Sequence, residues 1–349
     1  MLALRKMEAS PGLALLDTPE PDTVSGTDVL IAVEAVGICG SDLHVDDWSS
    51  GYDFMVPLLP VTLGHEFAGR VIAVGPQVTS VKPGQRVTAW PSAPCGVCRA
   101  CKTGTPQNCS DKQTVGLYRN GAFAAKVIAR ETGVFELPES VDFELGALAE
   151  PLCVGARAVR VADVRPGQKV VVLGPGSIGQ AIAIFARQAG AHSVAIAGHD
   201  DAPRLEVLSQ MGFDESFDLA RPGGRDDLLA RCAGADIVFE ATGHASSIAD
   251  ALELLAMEGT LVLTGIHAEQ ASLDLLQVVR RKLQIRGSHG TRREDWTHVL
   301  RTLAHFGEAI RPMITHRLPL SRALEGFGLA RTRNASKVIL LPQIKDTQS

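Results

Sequence analysis

Cys95, Cys98, Cys101 and Cys109 stand within fifteen positions, separated by two, two and seven residues on a stretch containing Pro and Gly. Four thiolates can close a tetrahedral shell around Zn(II) and leave no open position for chemistry, so the site they predict is structural. Such a metal would cross-link a long loop and release protons as it binds. Unligated buried cysteines or an iron-sulfur site are the alternatives. A nucleic-acid zinc ribbon is disfavoured, because its ligand pairs are normally separated by a longer stretch.

A second set of metal-binding residue types is dispersed along the chain. It comprises Cys39 in Gly37-Ile-Cys-Gly-Ser-Asp-Leu-His44, then Gly64-His65-Glu66, then Glu150-Pro151. Spacing alone brings none of these together. Chemically, one thiolate, one imidazole and one or two carboxylates would hold Zn(II) with a position left for water or an alcohol.

Glycines supply the third motif. Directly after the apolar run Lys169 to Leu173 comes Gly174-Pro-Gly176-Ser177-Ile178-Gly179, and a helical stretch follows at once. Gly174 permits a tight strand-to-helix turn, Gly176 lets the backbone approach a pyrophosphate, and Gly179 lets the helix pack against the strand. The phosphates would then lie at the helix N-terminus. About 20 residues further on, where a carboxylate should meet the adenosine ribose, the sequence reads Gly198-His199-Asp200-Asp201. Carboxylates repel a 2'-phosphate, which favours NAD over NADP and leaves NADP open. Arg204 is a candidate to stack on adenine or meet a phosphate.

Two textures of sequence must position these motifs. Up to Glu150 the apolar runs are short, β-branched and broken by Pro and Gly, as in Val29 to Val36, Gly69 to Val74 and Ala122 to Ala129, which predicts strands and turns. After Pro151 strand and helix alternate: Lys169 to Leu173, helix Ser177 to Ala189, Ser193 to Ala197, helix Pro203 to Met211, Asp236 to Glu240, helix Ser246 to Met257, Thr260 to Gly265 and Leu283 to Arg286. Roughly six strands in this pattern suit a doubly wound parallel sheet. Beyond Gly290, helices at Trp296 to Phe306 and Arg322 to Arg331 precede a strand at Lys337 to Leu341, and this tail is expected to rejoin the first domain.

A length of 349 residues favours two domains, each able to bury a core. The 34 basic and 39 acidic residues give a net charge of -5, which argues against nucleic acid and anionic membranes and for a small soluble substrate. No leader pattern opens the chain and no apolar run approaches the roughly 18 residues of a membrane span. A cytoplasmic setting is expected, where thiols stay reduced, so metal ligation outranks disulfide bonding for the clustered cysteines. Cys153 and Cys232 carry no comparable context.

With the motifs assembled, the sequence resembles the zinc-containing medium-chain alcohol dehydrogenase superfamily, particularly its sorbitol (polyol) and threonine dehydrogenase branches. The likeness runs nearly the full length and rests on the Cys39 segment, Gly64-His65-Glu66, the four-cysteine loop and the glycine fingerprint, in that order. It implies an α/β protein with a GroES-like, mainly β catalytic domain at 1-150, completed by 291-349, and a Rossmann domain at 151-290. It also implies that Cys39, His65 and Glu66 ligate a catalytic zinc, with Glu150 beside the metal directly or through water. Two zinc ions per chain and NAD are then expected.

The resemblance further gives Ser41 and His44 a proton route from the alcohol to solvent, and makes Asp42 the partner that orients His65. Glu150-Pro-Leu-Cys-Val-Gly155 and Gly121-Ala-Phe-Ala124 look like the polyol branch. His44-Val-Asp-Asp-Trp48, Ile314-Thr-His-Arg317 and Ser336-Lys-Val-Ile339 look like the threonine branch. Gly287-Ser-His-Gly290 lacks the Arg-Tyr pair of mammalian sorbitol dehydrogenases. The expected reaction is oxidation of a secondary hydroxyl on a polyol, sugar acid or cyclitol, with L-threonine as the alternative substrate and a non-catalytic zinc or nucleotide-binding protein as a remote one. Trp48, Trp90 and Tyr118 are candidates to line the pocket. Relatives of this type are commonly homodimers or homotetramers.

Overall fold

The computed structural model describes residues 1-21 and 23-344, so the last five residues of the expected tail lie outside the described residues. Two compact units result: Met1–Glu150 joined by the tail from Arg292, and Pro151–Thr291.

The first unit is built around the strand Asp28–Gly37, whose side chains are mostly buried. Its β-branched run suits a strand covered on both faces. The sheet runs Ile314–Pro319, Lys337–Leu341, Asp28–Gly37, Glu66–Val74, Arg86–Ala89, Val134–Glu136, and Lys126–Arg130 also pairs with the central strand. A smaller sheet holds Ala14–Asp17, Leu2–Lys6 and Val61–Thr62. Register decides what meets at the end of the central strand: Gly37 lies opposite Glu66 on one side and Ile339 on the other. A side chain on Gly37 would collide with the Glu66 carboxylate.

In the second unit six parallel strands run in the order Ser216–Asp218, Ser193–Gly198, Lys169–Leu173, Ala235–Glu240, Leu255–Leu263, Gln284–Gly287. The order reverses direction between Lys169–Leu173 and Ala235–Glu240, and the carboxyl ends of strands flanking such a switch point form the crevice of a doubly wound sheet. Val170, Val171, Val172 and Leu173 are each at most 2% exposed, as a central strand covered by helices requires.

Several elements differ from the sequence expectation. The helix expected to reach Met257 ends at Leu254, and Leu255 already begins the next strand. Elements not anticipated include the helices Ala149–Ala162, Gly224–Cys232 and Leu275–Arg280 and the strand Ser216–Asp218. The helix expected from Trp296 to Phe306 spans Arg293–Ile310.

Candidate active site and metal centres

Cys39 caps the short helix Gly40–Asp46, and Asp42 reaches back so that its Oδ2 accepts the Cys39 N–H at 3.0 Å. The other Asp42 oxygen faces His65 Nδ1 at 3.6 Å, with Asp42 wholly buried. One carboxylate therefore fixes the helix start carrying the thiol and the imidazole that follows Gly64. Burial pushes the Asp42 carboxyl up. For His65, burial opposes the charged ring, yet Asp42 and Cys39 together raise its pKa well above the usual value.

Potential ligand atoms of Cys39, His65 and Glu66 all lie within 4.8 Å of one another. A soft thiolate, an imidazole and a carboxylate in such proximity form a donor set suited to Zn(II). Glu66 is also engaged by Lys337, whose Nζ donates to its two carboxylate oxygens at 2.7 and 3.0 Å and to the Ile38 carbonyl at 2.9 Å. Burial disfavours the Lys337 ammonium, but the charges of Glu66, Cys39 and Glu150 and the hydrogen bond to Glu66 together outweigh it and raise its pKa. Lys337 was not anticipated as a site residue. The signal was present as a charge heading the otherwise apolar strand Lys337–Leu341.

Glu150 stands outside the mutual 4.8 Å set but feels the charges of His65, Glu66 and Lys337. Desolvation dominates there and lifts its pKa to about 7. Ser41 Oγ lies 3.3 Å from His65 Nε2. Among the described residues no hydrogen bond joins Ser41 to His44, which is partly exposed on the same helix. Of the aromatic candidates, Trp48 lies beneath the Lys6 ammonium, Trp90 is buried, and Tyr118 stacks on Phe54 at 4.7 Å.

The four clustered cysteines also converge. Cys98 Sγ lies 3.4 Å from Cys101 Sγ and 3.8 Å from Cys109 Sγ, and Cys95 Sγ lies 4.0 Å from Cys101 Sγ. These separations far exceed the ~2.05 Å of a disulfide. They match the ~3.8 Å edge of a tetrahedron whose corners stand ~2.3 Å from a central zinc. Backbone N–H groups point at the sulfurs: Cys95 N at Cys109 Sγ and Cys98 N at Cys95 Sγ, both 3.3 Å, and Asp111 N at Cys109 Sγ, 3.4 Å. Such donors stabilise thiolates, and the backbone N–H groups of Cys101 and Ser110 do so for Cys98, whose thiol is lowered to about 6.

In the second unit Gly174 turns with φ +108° directly after its strand, and a Cβ there would meet the Ala241 backbone at 2.9 Å. A side chain on Gly179 would strike the Gly174 carbonyl, whereas one on Gly176 would meet no protein atom within 4 Å. The backbone at Gly176 and Ser177–Ile178 thus opens the helix Ser177–Gln188 toward free space, the cradle a pyrophosphate requires.

At the end of the neighbouring strand His199 and Asp200 are exposed, and Asp200 has positive φ. Asp201 is 5% exposed and pairs with Arg204 at 3.3 Å. Of the two aspartates, Asp200 is the one that presents a carboxylate to solvent, and Arg204 is drawn to Asp201.

Sequence reasoning also missed Glu240, wholly buried at the carboxyl end of Ala235–Glu240. Its side chain accepts from Thr242 N at 2.7 Å, Gly243 N at 3.0 Å, Ser247 Oγ at 2.9 Å and His267 Nε2 at 2.9 Å. Its carbonyl accepts from Thr264 and Gly265 N. One residue thereby ties together the two loops that border the crevice opposite the glycine turn.

Comparison with known proteins agrees with this architecture. Residues 25–139 match the alcohol dehydrogenase GroES-like domain family, and residues 177–305 match the zinc-binding dehydrogenase family. The chain is 35% identical over 344 residues to the L-threonine 3-dehydrogenase of Saccharopolyspora erythraea, covering 97% of this chain and 98% of that one. Among solved structures, 2R,3R-butanediol dehydrogenase from Bacillus subtilis superposes with a TM-score of 0.87 at 27% identity, covering 98% of this chain and 99% of that one. Galactitol-1-phosphate dehydrogenase from Escherichia coli does so with 0.86 at 26% identity, covering 98% and 100%. The chain belongs to the zinc-dependent medium-chain alcohol dehydrogenase superfamily. It is an oxidoreductase of that family, and among the described residues no helix is long and apolar enough to cross a membrane.

Proposed function

We propose that the chain oxidises a secondary hydroxyl on a polyol, sugar acid or cyclitol with NAD as hydride acceptor. The observation that carries this reading is the convergence of Cys39, His65 and Glu66 within 4.8 Å, with the Glu150 carboxylate nearby. Cys39 and His65 would hold a zinc ion, and the third ligand comes from Glu66 or Glu150. When bound, zinc supplies Lewis acidity that makes an alcohol more acidic. Asp42 orients the His65 ring, and Ser41 takes up a proton at its Oγ as it passes its own hydroxyl proton on toward His44 and solvent. In the second unit Gly174, Gly176, Ser177, Ile178 and Gly179 cradle the cofactor phosphates, and Asp200 receives the adenosine ribose. That carboxylate supports NAD over NADP.

The four-cysteine loop would hold a second, structural zinc ion. A homodimer or homotetramer is supported by Leu275, Leu276 and Val279, 66%, 56% and 74% exposed beside the edge strand Gln284–Gly287. Sedimentation as a monomer at micromolar concentration would contradict it.

L-Threonine is the second reading for the substrate, favoured by the 35% identical relative. The butanediol and galactitol-1-phosphate dehydrogenases favour the first, as does the Glu150 segment. Steady-state assays with NAD against a polyol panel and L-threonine test the choice: the first reading predicts the highest kcat/KM for a polyol or sugar acid. A value for L-threonine far above every polyol would reverse the order.

A further inference from the structure

The ammonium of Lys6 grips the end of the helix that carries Ser41 and His44. Lys6 is wholly buried, and its Nζ donates to the carbonyls of Ser10 at 2.5 Å, Gly12 at 3.2 Å and Asp46 at 3.0 Å. Three carbonyls match the three N–H donors of an ammonium, which makes its burial tolerable. Asp46 is the last residue of the helix Gly40–Asp46, two positions after His44. Arg331, which ends the tail helix Ala323–Arg331, holds the same place, donating to Asp46 Oδ2 at 2.5 Å and to Asp47 Oδ1 at 2.6 Å. Just beyond, Trp48 has φ +52°, rare for a large side chain, with the Lys6 Nζ 5.3 Å from its ring centroid. Such a backbone persists where its neighbours over-determine it.

The strand that bears Lys6 also borders the other half of the site. Arg5 and Lys6 lie opposite Thr62 and Val61, and the Leu4 carbonyl accepts from Leu63 N at 3.2 Å, just before Gly64 and His65. One strand thereby contacts both the segment entering His65 and the end of the Ser41 helix. The 3.3 Å between Ser41 Oγ and His65 Nε2 depends on that common frame.

We propose that Lys6 and Arg331 are positioning residues, which together hold the helix Gly40–Asp46 against His65 so that Ser41 and His44 keep a fixed path for the proton leaving the substrate alcohol. Each acts through the helix. This deepens the dehydrogenase reading above and rests on it.

The test measures kcat, KM, zinc content, NAD affinity and the solvent deuterium isotope effect on kcat for wild type, Lys6→Met, Arg331→Gln and Arg331→Lys. The substrate is whichever of a polyol panel and L-threonine the wild type oxidises best. Lys6→Met and Arg331→Gln are expected to lower kcat by about 10- to 100-fold and to raise the isotope effect, because proton transfer becomes the slow step. Zinc content, NAD affinity and KM are expected to hold, and Arg331→Lys to recover most of the lost turnover. Arg331 is 43% exposed, so its variants carry the test if Lys6→Met does not fold. Unchanged kcat in the folded variants, a fall in kcat with no rise in the isotope effect, or a parallel loss of zinc would overturn the proposal while leaving the dehydrogenase reading intact. A wild-type protein that oxidises none of these alcohols, with zinc and NAD bound, would overturn that reading and this proposal with it.

Discussion

Glu66 and Lys337, 271 positions apart in the chain, form an ion pair with side chains 1% and 2% exposed, at the point where the central strand ends in Gly37. The tail after the second unit thus returns a single cation to the candidate metal cluster. In a low-dielectric interior each charge depends on the other.

Removing that cation strands a buried carboxylate. Lys337→Met is expected to lower unfolding stability by about 3–5 kcal/mol, and adding Glu66→Gln should recover a large part of the loss. Urea titrations of the single and double variants measure both, and a single-variant change below about 1 kcal/mol would speak against the pair's role.

The four-cysteine loop gives a separable prediction. Cys98→Ser removes a sulfur at the centre of the shortest contacts, so the protein should lose one zinc per chain and unfold at a lower temperature. Unchanged thermal stability with unchanged zinc would argue against a structural ion.

Asp42 connects the helix cap to His65, and Asn can keep the first bond while losing the charge. Asp42→Asn is therefore expected to fold normally yet weaken metal affinity or kcat by about 10- to 100-fold. Circular dichroism paired with zinc-competition titration checks this. Full metal affinity and full turnover would show that Asp42 is only a cap.

Local patterns made much of this legible, and long-range pairing made the rest invisible. The strand Lys169–Leu173, the glycine turn and the strand Lys337–Leu341 stand where the sequence puts them, because each carries its own punctuation: apolar run, glycine, helix former. The helix Ala149–Ala162 was hidden by Pro151, which reads as a break although the first turn of a helix needs no proline N–H. Ser216–Asp218 is three residues long and belongs to an edge strand, too short to show a period.

At the site, Cys39, Ser41 and Asp42 share a segment and could be singled out together. The Glu66–Lys337 pair depends on register across three strands, and the Glu240 collar on two loops meeting one buried carboxylate. Neither follows from spacing along one segment.

The central claim is a zinc ion held by the Cys39 sulfur and the His65 ring, and anomalous diffraction from crystals of the holo protein at the zinc absorption edge tests it most directly. The account predicts two peaks per chain, one between Cys39 and His65 and one among Cys95, Cys98, Cys101 and Cys109. A single peak confined to the four cysteines, from protein fully supplied with zinc, would contradict it.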